Sequence, residues 1–164
     1  MGRVVMAKVV LKNKVLREIM AEFKELSSQT VRIGIQSKEK DSTGKQSLAK
    51  VAAQNEFGNP QKRIPSRPFM RQAFDKNVTK ISEMGKKLAG LLMKRKMKSQ
   101  QALELWGQEM ETNIKNEIIR GDFVPNAPYT IAKKKSDKPL IDTGRMLGSV
   151  RYVVKKRRTR GGGT

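Results

Sequence analysis

Two apolar stripes at helical spacing, one after the other in the chain, constrain the fold more than any other feature. Ile81, Met84, Leu88, Leu91 and Leu92 fall on one face of a helix. Leu103, Trp106, Met110, Ile114 and Ile118 do the same on a second helix, which Gly121 ends. Between them lies Lys94-Arg95-Lys96-Met97-Lys98, too basic to be buried and therefore a solvated helix or linker. The centre of the chain is thus a long helical pair, and each stripe needs another layer to cover it.

The flanking segments supply that layer. Val15, Ile19, Phe23 and Leu26 mark an amphipathic helix that ends near Ser27-Ser28. Val31, Ile33 and Ile35 alternate with Arg32 and Gly34, as in a half-buried strand. Ser149 to Val154 reads as a second strand through Val150, Tyr152 and Val154, preceded by a turn of helix at Arg145 to Ser149. Val4 to Leu11 is apolar and β-branched around Lys8, which suits a short strand or an arm. Ser47 is placed to cap a short helix through Leu48, Val51, Ala52 and Asn55, and Gly58 to terminate it. Ser37 to Gln46 reads as an exposed loop, and Asp122 to Asp142, with Pro125, Pro128 and Pro139, as a long polar connection. The length suits one domain plus arms. Residues 1–154 form one domain, and 155–164 a basic, Gly-rich tail that cannot order itself.

Composition then removes whole classes of chemistry. The 164 residues include no cysteine and no histidine. Disulfides, thiolate metal sites, cysteine nucleophiles and the commonest general base go together, so no metal or cofactor is expected. No run of about 18 apolar residues exists to span a membrane, and Met1 to Leu11, broken by Arg3 and Lys8, lacks the pattern of a signal peptide. The formal charge of +21 favours polyanionic partners, either nucleic acid or acidic protein. That charge is uneven: eleven Lys and Arg against two acids from Phe123 onward, but five acids against two basic residues from Gln100 to Asp122. The contrast fits head-to-tail contacts between subunits, and it equally fits two solvated faces.

Two short motifs invite enzymatic or adhesive readings. Leu140-Ile141-Asp142-Thr143-Gly144 has the form of an aspartic-protease loop, where two carboxylates share a proton to activate water. Arg145 and the helical spacing of Met146, Leu147 and Val150 argue instead for a turn in which Asp142 caps a short helix. Arg120-Gly121-Asp122 matches an adhesive tripeptide, but a helix end accounts for it. No phosphate-binding glycine loop occurs, since Gly161 to Gly163 is terminal. Basic residues do not interleave with aromatics, so any nucleic-acid contact would be to phosphate rather than to bases.

Three blocks together carry a family resemblance. Val51-Ala52-Ala53-Gln54-Asn55-Glu56-Phe57-Gly58 precedes Ile64-Pro65-Ser66-Arg67-Pro68-Phe69-Met70-Arg71-Gln72-Ala73-Phe74-Asp75. Pro139, Leu140, Asp142, Thr143, Gly144, Leu147, Ser149 and Val150 follow later. In order and spacing this set resembles the head-tail joining, or tail-completion, proteins of tailed bacteriophages. The resemblance implies a non-enzymatic virion protein assembled in the host cytoplasm. It also implies an α+β subunit, a small antiparallel sheet packed with helices including a long helical pair and with extended arms, repeated in a ring, hexameric or dodecameric, at the neck or upper tail, between connector and tail proteins. Its motif and interface candidates are Asn55, Glu56, Phe57, Gly58, Ile64, Pro65, Arg67, Pro68, Phe69, Leu140, Asp142, Thr143 and Gly144. The family pattern has the prolines opening a long helix, and Phe69 and Phe74 are expected in the core. Lys155, Lys156, Arg157, Arg158 and Arg160 depart from the pattern and read as a basic arm for an acidic neighbour or, non-specifically, DNA. The competing reading is a ribosomal or other phosphate-binding protein.

Overall fold

The computed structural model describes residues 13–35, 40–41 and 43–157. Val4 to Leu11, Arg158, Arg160 and the terminal glycines lie outside the described residues. The order is α1 (Lys14–Ser27), β1 (Gln29–Ile35), α2 (Leu48–Phe57), a short 3-10 turn (Pro60–Lys62), α3 (Phe69–Lys76), α4 (Val78–Met93), α5 (Ser99–Arg120), α6 (Pro128–Lys134), α7 (Arg145–Ser149) and β2 (Val150–Lys156). This is the α+β arrangement expected: a two-stranded antiparallel sheet, with Ile33 opposite Tyr152, packed by helices that include the α4–α5 pair. No helix among the described residues is long and apolar enough to cross a membrane.

Helix α5 organises the rest. Met110, Ile114 and Ile118 are buried on its stripe, and the last two join Phe69 and Ala73 of α3, Ala52 of α2, Met146 of α7 and Val150 of β2 in the main core. At its start Ala102 packs with Leu88 and Leu92 of α4 in a smaller second core, edged by Leu26 of α1. Gly107 is where α5 lies closest to the sheet. A Cβ there would sit 2.7 Å from Cγ of Tyr152, so a larger residue would push the strand away. Glu111, one turn on, accepts a hydrogen bond from the Tyr152 backbone N–H at 2.9 Å and thereby covers the outer edge of β2.

Several expectations change. Trp106 lies on the helical stripe but is exposed, where it lines an open groove with Leu26, Leu88 and Leu103. Phe74 is also exposed, at 49%, while Phe69 is fully buried; α3 presents only its Phe69–Ala73 side to the core. The helix after the prolines is not one long helix. It breaks at Asn77, whose side-chain amide donates to the Ala73 carbonyl at 2.8 Å and competes with the regular ladder. Pro68 stands just before α3 rather than inside it. The long connection is partly helical, and its Phe123, Asn126 and Leu140 are buried.

Candidate functional site

The residues singled out around Asn55 to Phe69 build one corner of the molecule. Ser47 caps α2 through a bond from the Lys50 N–H, and the helix ends at Gly58 with φ 78° and ψ 167°. A Cβ at Gly58 would lie 3.0 Å from the Ser66 nitrogen, so both the backbone angle and the space require glycine. Asn59 and Ile64 then exchange backbone hydrogen bonds of 2.8 and 2.9 Å, which closes a tight loop and returns the chain to α2. Pro65 and Pro68 hold the return extended.

Two side chains lock this return. The buried carboxylate of Glu56 accepts from the backbone N–H groups of Met70 (2.9 Å) and Arg71 (3.1 Å). It satisfies the first turn of α3, where Pro68 has no side chain to do so. Arg67 is only 5% exposed, and its guanidinium binds four oxygens. Nε donates to the Val124 carbonyl (2.8 Å), one terminal nitrogen to Asn55 Oδ1 (3.1 Å), and the other to the Pro125 carbonyl (3.1 Å) and Asn126 Oδ1 (3.2 Å). The chain through Pro125 forms no ladder, so its buried carbonyls need donors from elsewhere, and the planar fork of Arg67 provides them. Asn126 in turn donates to the Lys138 carbonyl at 3.2 Å, which ties the corner to the segment entering Leu140.

Leu140, Asp142, Thr143 and Gly144 form the far wall of a cleft of about 150 Å³ whose near wall includes Val51 and Asn55. Leu140 belongs to the main core. The N-cap position of α7 is Gly144, in a left-handed conformation, two residues after Asp142. Asp142 acts electrostatically on Lys134. Burial holds that ammonium below its ordinary pKa, repulsion from Arg67 adds to the effect, and Asp142 opposes it. Burial likewise lowers Arg67, a group that stays charged in any case. Among the described residues no group of three carboxylates could hold a metal ion. The corner's charged side chains bond to backbone and amide groups and hold three segments of the chain together.

The remaining candidates sit apart from this network. Phe57 projects from the end of α2 at 72% exposure, and Ile64 and Pro65 line the outside of the loop. Lys155 and Lys156 are not tail residues but the exposed end of β2, opposite Thr30 and Gln29, and the Arg157 N–H donates to the Ser28 carbonyl at 2.6 Å. The strand runs further than the apolar alternation indicates because backbone pairing does not depend on which side chains alternate. The acidic stretch of α5 is largely consumed within the chain: Glu109 pairs with Lys80 and Glu117 with Lys76, both at 2.6 Å, and Glu111 faces Lys115 and Arg151. Head-to-tail contact through that stretch therefore has fewer uncommitted carboxylates to offer.

Asn126, Lys134 and Glu22 were not evident beforehand. Glu22 accepts from the Ser99 N–H (2.9 Å), the Ser99 hydroxyl (3.0 Å) and Lys98 (2.7 Å), and so caps α5 from another helix. Those bonds, the one from Lys98 foremost, draw its pKa down to about 2. A carboxylate between Ile19 and Leu26, on the apolar face of α1, was its only signal. Compared with family models, with curated proteins and with solved structures, the chain matches none.

Proposed function

We propose that this chain is a structural subunit of a tailed-phage neck, forming a ring that completes the tail and joins it to the head connector. One observation carries the reading. The three blocks on which the resemblance rests, remote in sequence, meet at the Arg67 corner: Asn55 from the first, Arg67 from the second, and Leu140 to Gly144 across the adjoining cleft. An ordered motif set whose members hold one another in place favours a shared fold over coincidence, and a role in scaffolding over one in catalysis. The exposed ends left by that corner and the sheet, Phe57 together with Lys155, Lys156 and Arg157, are the surfaces offered to neighbours. The ring is hexameric in this reading, and the protein does no covalent chemistry.

Native mass spectrometry of the full chain, alone and with connector and tail subunits, tests this. A closed oligomer of one fixed copy number, alone or on the connector, is the expected result. A monomer under every condition that instead binds nucleic acid with a steep salt dependence would replace the proposal with the phosphate-binding reading, which the +21 charge favours.

A further inference from the structure

A groove of about 500 Å³ opens beside the Arg67 corner, between the Lys62-Arg63 turn, the Pro125-Asn126 stretch and helix α6. Lys62, Arg63, Arg67 and Lys134 all line it, and among the described residues no acidic one does. Arg67 itself has only neutral oxygens as partners, although it is almost fully buried. Desolvated cations are ordinarily offset by a carboxylate, and a guanidinium held by amide and carbonyl oxygens alone leaves its net charge uncompensated. That charge acts on the groove through a medium of low polarity, where it is felt more strongly than across solvent. Lys134, whose ammonium reaches the Lys138 and Pro139 carbonyls, adds a second half-buried charge on the same wall.

We propose that this groove is a docking site for an acidic protein segment, whose carboxylates balance the charge of Arg67 and pair with Lys62 and Arg63 at its mouth. Proteins present carboxylates on side chains thin enough to enter a recess. A duplex presents its phosphates on a broad convex rim, which suits exposed lysines better than a floor set behind prolines. The walls contributed by Ile64, Pro65 and Pro139 are apolar and rigid, and they suit the aliphatic stems of glutamate side chains. Lys62 and Arg63 are exposed at the mouth, where they would steer an acidic chain inward. The site follows from the groove's own charges and holds whether or not the subunit forms a ring.

Calorimetric titration of the full chain with hexaglutamate, and separately with hexathymidylate, at equal ionic strength tests the site. Lys62→Gln/Arg63→Gln removes the mouth charges without touching the buried network, and Lys86→Gln/Lys87→Gln makes the same charge change on α4. Hexaglutamate affinity should fall about tenfold in the groove variant and less than about twofold in the α4 variant, because only the first loses direct ion pairs. Lys134→Gln, checked for an unchanged fold, should lower it further. Equal losses in both double variants, no binding at all, or tighter hexathymidylate binding that depends on the groove residues would each overturn the proposal.

Discussion

The Arg67 corner and helix α1 use charge in opposite ways. At the corner, charged side chains are buried and bond to backbone: Arg67 to two carbonyls and two amide side chains, Glu56 to two N–H groups. Helix α1 buries no residue, and it leaves Leu16, Met20 and Phe23 exposed on one side. It is pinned along its middle by charges, exposed Glu18 to Arg95 at 2.6 Å and half-buried Glu22 to Lys98 and Ser99. A buried charge whose partners are fixed cannot be removed without stranding them, whereas a surface pair can be replaced by water. The corner is therefore expected to be a rigid unit and α1 an adjustable one.

Removing the guanidinium should produce the largest effect. Arg67→Met keeps much of the volume but leaves the Val124 and Pro125 carbonyls unpaired, and should cost about 3 kcal/mol or more in denaturant unfolding. Arg67→Lys should recover only part of this, since an ammonium cannot reproduce the fork. A loss of under about 1 kcal/mol for Arg67→Met would show that water satisfies those carbonyls and that the corner is no more rigid than α1.

Gly58→Ala comes next, at about 1–3 kcal/mol, because alanine must adopt a positive φ against the Ser66 nitrogen. An unchanged unfolding midpoint would mean that the loop relaxes freely. Glu56→Gln keeps the shape and removes the charge from the α3 cap, so about 1 kcal/mol is expected by the same measurement. A stabilising effect would contradict the capping role.

This ordering also marks what the sequence could disclose. Helical and strand periodicity located α1, α4, α5 and both strands, because those patterns record which side of an element is covered. The corner's candidates were legible as residue types, Gly58 as a terminator and the prolines as breakers. Its long-range partners were not, since nothing local in Val124-Pro125-Asn126 indicates that its carbonyls face Arg67. Phe74 and Trp106 are misplaced for a related reason: aromatic character at a helix start and helical periodicity each favour burial but do not say how far the covering layer extends.

The smallest effect belongs to α1. Glu22 has its pKa lowered in the folded state to about 2 from an ordinary 4.5. Its contribution is therefore fully present above about pH 4.5 and is lost as pH falls through the folded value. At 19% side-chain exposure, solvent screening limits Glu22→Gln to about 1 kcal/mol at neutral pH. The gap between wild type and variant should close between pH 4.5 and about 2. A gap that stays constant across that range would show that packing, not charge, holds the helix.

Native-state hydrogen exchange compares the two regions in a single experiment. The backbone amides of Arg67, Phe69, Met70 and Arg71 all donate inside the corner. They should exchange only through global unfolding, while the amides of α1 exchange through local opening at a distinctly lower free energy. Equal protection in both, or corner amides exchanging before those of α1, would contradict the claim that the Arg67 corner is the rigid unit of this fold.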